Sequence, residues 1–280
     1  MSADTVTEAT DPPPTGMPVL RVLPPVVWGR AWRIVERNAL AYRRLGLVFA
    51  AGMLEPILYL FSIGIGVGAL VGDLPTPGGG TVSYEVFVAP GLLAAAAMNG
   101  AIFDSTFNFF VKFKYFKTYD AILASPLSPA DAAAGEVLWS LIRGAAYSAV
   151  FLLTMAVLGY TESWWALAAL PTTVLVGAAF ASVGLAATTY MRSFVDFDYV
   201  NLVIIPSFLF SATFFPLSRY PEGVQIIVRL TPLYQGVRLC RAFTLGEVDA
   251  GLIFPIVYLV VMTVVGLAVA SRRLRSLLQP

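Results

Sequence analysis

The sequence has no histidine, a single cysteine (Cys240) and only three lysines, and 12% of its 280 residues are charged. Without histidine there is no imidazole acid–base catalysis, no histidine metal ligation and no Ser–His or Cys–His nucleophile pair. One cysteine excludes an internal disulfide and CxxC chemistry. No GxxxxGK[ST] occurs and no lysine follows a glycine, so the chain lacks a phosphate-cradling loop. A formal net charge of +1 does not point to nucleic acid. The charged fraction is about half of the roughly 25% usual in a soluble domain.

What the chain has is apolar length. Hydrophobic residues make up 58% of it, and several runs reach the roughly 20 residues that cross a hydrocarbon core. The stretch 163–191 contains no charge at all. This predicts an all-α integral membrane protein with six spans near 45–71, 84–111, 137–158, 164–190, 199–216 and 251–270. Residues 1–24 are Thr- and Pro-rich with no apolar core, which reads as a disordered cytosolic tail and not a signal peptide. In 25–44, Trp28, Trp32, Val35, Ala39 and Tyr42 recur at helical spacing with Arg30, Arg33, Arg37 and Arg44 on the other side. That pattern predicts an interfacial amphipathic helix. The transmembrane domain then covers 45–271, and 272–280 is a second cytosolic tail.

Charge sets the expected orientation. Six arginines precede the first span, three lysines follow the second, Arg192 follows the fourth, and Arg272, Arg273 and Arg275 follow the sixth. By the positive-inside bias both termini are cytoplasmic. The segment 217–250 runs against this bias, since it holds Arg219, Arg229, Arg238 and Arg241 on the expected outer side. Its apolar runs, 224–230 and 233–245, are too short or too charged to cross and suggest re-entrant helices. The four arginines form an outer rim that either meets anionic headgroups on an exit path or snorkels to bulk lipid phosphate.

Ionisable side chains within spans are costly and therefore single themselves out. Glu55, Asp104 and Arg143 fall at similar depth, which predicts pairing of Arg143 with one or both carboxylates. Such a pair either fixes helix register or belongs to a substrate path. Asn99, Phe103 and Phe107, with Asn201, Ser207, Phe210 and Ser211, mix amide, hydroxyl and aromatic groups suited to an amphiphile's route. Helix–helix hydrogen bonds and lipid-facing rings explain the same residues. Asp196 and Asp198 resemble a DxD metal motif only weakly, and no metal site is expected.

Between the second and third spans lies Lys112-Phe-Lys-Tyr-Phe-Lys-Thr-Tyr-Asp120-Ala-Ile-Leu-Ala-Ser-Pro126. Tyr119, Ile122 and Leu123 give it a short apolar helical side that Pro126 ends. It either anchors the loop at the membrane surface or receives force from a soluble partner. After it, Ser128-Pro129-Ala-Asp131 has the form of a helix start.

Taken in order, Leu54-Glu-Pro-Ile-Leu-Tyr-Leu-Phe61, Ala89-Pro-Gly-Leu-Leu93, Lys117-Thr-Tyr-Asp-Ala-Ile-Leu-Ala-Ser-Pro-Leu127, Phe208-Leu-Phe-Ser-Ala-Thr-Phe-Phe-Pro-Leu217 and Pro232-Leu-Tyr-Gln-Gly-Val-Arg-Leu-Cys-Arg241 resemble the membrane subunits of type-2 ABC exporters. The likeness is to the branch of nodulation protein J and related lipooligosaccharide or drug-resistance permeases. It implies a coupling helix whose contacts are Thr118, Tyr119, Asp120, Ile122, Leu123 and Leu127. It also implies a second permease copy or homologue, ABC ATPase subunits that hold the ATP and Mg, and a place in the bacterial plasma membrane. No cofactor is expected in this chain. An ion-coupled carrier using Glu55 and Asp104, or an enzyme acting on membrane lipids, are the rival readings.

Overall fold

The computed structural model describes residues 28–43, 46–76, 79–115, 127 and 129–278. The predicted tail 1–24 lies outside them, as do Thr118, Tyr119, Asp120, Ile122 and Leu123 of the coupling segment. The described chain is helical almost throughout. Helix α1 (Trp28–Arg43) is followed by α2 (Gly46–Val71), α3 (Tyr84–Phe103), α4 (Pro129–Val157) and α5 (Ala169–Thr188). Then come α6 (Phe197–Leu209), α7 (Glu222–Leu230), α8 (Pro232–Leu245) and α9 (Ile253–Leu278).

Five stretches among the described residues are long and apolar enough to cross a membrane: Gly52–Val71, Tyr84–Tyr115, Ala134–Val157, Trp164–Thr188 and Ala250–Leu274. The expected fifth span, 199–216, differs. Its helix α6 has 13 residues, about 20 Å at 1.5 Å per residue. Beyond Leu209 the backbone leaves the helix, and Ala212 takes a left-handed φ of 54°, a conformation that costs an L-residue roughly 1–2 kcal/mol. The glycine- and proline-rich 72–80 connection, read from sequence as a loop, carries a small antiparallel pairing of Leu74–Pro75 with Thr81–Val82.

Helix α3 is the most enclosed of these stretches and packs against α2, α4, α5 and α8. Its extension uses wide π turns at Asp104–Asn108 and Val111–Tyr115. A π turn frees backbone groups, and the Thr188 hydroxyl of α5 donates to the Ser105 carbonyl at 3.1 Å. Close approach elsewhere depends on glycine. On α9, a Cβ at Gly266 would sit 2.8 Å from the Ser182 backbone carbonyl carbon of α5, closer than real Cβ contacts allow.

Helices α7 and α8 form a V. Its outer ends lie with the Leu74–Val82 hairpin, because residues 216–218 and 246–249 share a cavity with Pro75 and Thr76. Its corner, Thr231–Pro232, reaches the middle of the bundle, where Pro232 meets Ile102, Phe180 and Met262. With 9 and 14 residues, neither arm approaches the roughly 20 needed to cross.

Candidate functional site

The two helices that flank the 116–126 stretch each carry an acidic residue followed by a basic one. Asp104 and Lys112 stand eight residues apart on α3 and its extension, while Glu136 and Arg143 stand seven apart on α4. Antiparallel packing therefore brings Asp104 to Arg143 and Lys112 to Glu136. Each pair is about two helical turns from the next.

The deeper pair is Arg143 with Asp104, both side chains nearly buried. Asn108, one turn along the π segment, donates to the same Asp104 oxygen at 2.6 Å. The other Arg143 nitrogen donates to the Tyr42 hydroxyl of α1 at 2.9 Å, and the guanidinium lies 5.1 Å from the Tyr42 ring centre. Burial pushes the Tyr42 hydroxyl above its ordinary pKa, so it stays a neutral phenol. The ends of this arginine and carboxylate are thus hydrogen-bonded on three helices, the condition under which a buried pair is tolerated.

The second pair sits nearer the helix ends. Glu136 accepts from Lys112 Nζ at 2.7 Å, from Arg37 at 3.0 Å and from Asn38 at 3.0 Å. Arg37 and Asn38 belong to α1, whose inward face also buries Ala31, Ile34 and Val35. Gly135 leaves room for this approach: a Cβ there would meet the Ala31 carbonyl at 2.6 Å. Leu127, the one described member of the expected coupling set, packs beside Ile34, Phe109 and Ala132. Two polar knots therefore bind α1, α3 and α4 together on both sides of one short connection.

Sequence reasoning missed Tyr42, Asn108, Lys112, Arg37, Asn38 and Glu136 as parts of this arrangement. The matching eight- and seven-residue charge spacing is the signal that reveals them. Glu55 does not join: it is exposed on α2 and makes no ion pair among the described residues.

The remaining expectations scatter. Asn99, Phe103, Phe107, Asn201 and Phe210 are exposed, Phe103 stacking on Phe107 at 5.3 Å. Ser211 is fully buried and hydrogen-bonded to the Thr213 hydroxyl at 2.7 Å. Only Ser207 of that set lines a sizeable cavity, an apolar groove of about 720 Å³. Of the rim arginines, Arg219 is exposed, while Arg229, Arg238 and Arg241 border the cavity of about 760 Å³ that Pro75 and Thr76 also line.

Arg241 is not an open rim residue. It is buried over the Phe87 ring at 3.8 Å and donates to the carbonyls of Phe87, Ala212 and Thr213. The Ala212 and Thr213 carbonyls are freed by the helix break at 210–213, and the Phe87 carbonyl in the first turn of α3 takes the arginine as a further donor, so its charge is used in holding the fold. Asp196 accepts the backbone N–H groups of Arg192 and Ser193 at 2.6 and 3.1 Å, which places it in a helix-capping turn.

Residues 30–245 match the family described as "ABC-2 type transporter". Nodulation protein J of Rhizobium leguminosarum bv. viciae is 33% identical over 88% of this chain and 95% of its own length. The Rhizobium leguminosarum bv. trifolii protein of the same name is 35% identical over 79% of this chain and 82% of its own. The Neorhizobium galegae one is 29% identical over 88% and 94%.

Proposed function

Since this multi-pass chain belongs to the ABC-2 type transporter family and is a transport component, we propose that it is the permease subunit of an ATP-driven exporter. Its partner is an ABC ATPase that binds ATP and Mg, and a second permease copy or homologue completes the translocating unit. The basic end of the bundle faces the cytosol of a bacterium, with both termini inside. Six crossings follow if α6 and the non-helical 210–216 together make the fifth, and α7–α8 is then a re-entrant V opening outward. The cargo is an amphiphile, such as a glycolipid, lipooligosaccharide or hydrophobic drug, carried from the cytosolic leaflet outward.

One observation carries this reading: both helices joined by the 116–126 stretch are ionically locked to each other and to α1. Force applied by the ATPase to Thr118, Tyr119, Asp120, Ile122 and Leu123 then moves three helices as a unit instead of bending a loop. Rigid-body motion of this kind transmits nucleotide closure with little loss. The double variant Tyr119→Ala/Leu123→Ala tests it in the chain co-expressed with its ATPase. The expected outcome is loss of complex on size-exclusion chromatography, or transport-linked ATP hydrolysis reduced at least about tenfold, equivalent to about 1.4 kcal/mol of coupling. Unchanged assembly and hydrolysis in that variant would refute the coupling role.

A further inference from the structure

The backbone of helix α6 comes nearest the bundle at α8 and lies farther from α3 and α5, while its Val200, Ile204 and Phe208 side chains reach the core cluster. Between α5 and α6 runs the apolar groove of about 720 Å³, lined by Ile102, Val183, Tyr199, Val203, Met262 and Pro232 among others. Its length along α6, from Tyr199 to Ser207, is eight residues, about 12 Å. That is close to half of the roughly 30 Å hydrocarbon core. Pro232, at the corner of the V, closes the deep end, so the groove is one leaflet deep and does not suit a spanning helix.

The mouth is at the basic end and has its own chemistry. Arg192 borders it and its side chain makes no ion pair among the described residues, while Asp196 beside it on the same mouth accepts the backbone N–H groups of Arg192 and Ser193. Tyr190 also borders the mouth, with the Arg273 guanidinium 4.4 Å from its ring centre. Arg273 Nε is buried and has no hydrogen-bond partner among the described residues. An apolar slot about 12 Å long, with the Arg192 side chain at its mouth and the Arg273 charge beside it on Tyr190, matches an acidic phospholipid.

We propose that this groove binds an anionic phospholipid of the leaflet at the basic end, with an acyl chain between α5 and α6 and the phosphate at Arg192. The lipid fills the space that separates α6 from the bundle and thereby sets the position of that helix. The proposal rests on the membrane placement of the chain and not on the direction of transport or on the ATPase.

The test uses the full-length chain reconstituted in vesicles of phosphatidylcholine with a minor fraction of phosphatidylglycerol, then extracted in mild detergent for native mass spectrometry. The expected result is retained phosphatidylglycerol, enriched about fivefold over its share of the vesicle, the preference expected of one basic side chain at an anionic headgroup. Val203→Trp, which fills the slot, should release the lipid while the circular-dichroism melting curve stays within a few degrees. Arg192→Glu should abolish the enrichment yet leave phosphatidylcholine in the slot. Absence of retained lipid, equal retention of both lipids by the unaltered chain, or undiminished retention in Val203→Trp would each overturn the proposal. So would disulfide formation between two Val203→Cys chains, since a second copy would then cover the groove. None of these readouts involves ATP, so their failure leaves the exporter reading standing, and a failed Tyr119→Ala/Leu123→Ala test leaves this one standing.

Discussion

Two buried cations illustrate how differently one residue type is used. Arg143 meets a carboxylate, whereas Arg241 meets only carbonyl oxygens and an aromatic face. Removing one partner of the Arg143–Asp104 pair strands the other, so Asp104→Ala should lower stability by about 3–5 kcal/mol, the usual cost of an uncompensated buried charge. Asp104→Asn combined with Arg143→Met should cost much less, and denaturant titration in detergent separates the two outcomes. Cys240, next to Arg241, is fully buried, and burial pushes its thiol up to about 12. The nucleophilic form is the thiolate, so maleimide at pH 8 should leave the folded protein unlabelled and modify it only after denaturation. Rapid labelling of native protein would show that α8 is not packed as described.

At the scale of helices, long apolar runs were plain in the sequence because hydrocarbon thickness alone dictates their length. The stretches at 84–111, 137–158 and 251–270 all fall on helices of the bundle. The end of α6 was not plain, because Pro206 and a hydrophobic 208–217 stretch read as continuing apolar length while the backbone departs at Phe210. Composition does not tell which way a helical residue faces, and Asn99 and Asn201 are exposed on their helices. The pairing of Asp104 with Arg143 was legible from depth, whereas the exclusion of Glu55 depended on helix rotation. Glycine contacts belong to this scale too. Gly266→Ala forces α9 away from the Ser182 backbone, and overpacking of this kind costs about 1–3 kcal/mol. A drop in melting temperature measures it, and an unchanged melting curve would mean that α5 and α9 are separated by more than described.

For the whole molecule, the three-way lock at Glu136 ties α1 to the α3 extension and α4, and under the proposed mechanism α1 moves with them. Glu136→Ala removes the shared acceptor of Arg37, Asn38 and Lys112 without touching Arg143. Under the proposed mechanism, assembly with the ATPase persists while cargo-stimulated hydrolysis falls several-fold. Loss of assembly instead would assign Glu136 to folding alone, and co-purification measured beside hydrolysis distinguishes the two.

The charge ladder also bears on how such a chain can vary in length. One residue inserted between Asp104 and Lys112, or between Glu136 and Arg143, rotates one rung by about 100° and breaks register with the other. Residues added or deleted within 116–126 leave both rungs aligned. As far as the two ion pairs are concerned, length can therefore change within the connection and not along the two helices, and a scan of single-residue insertions read by thermal stability would trace that boundary directly.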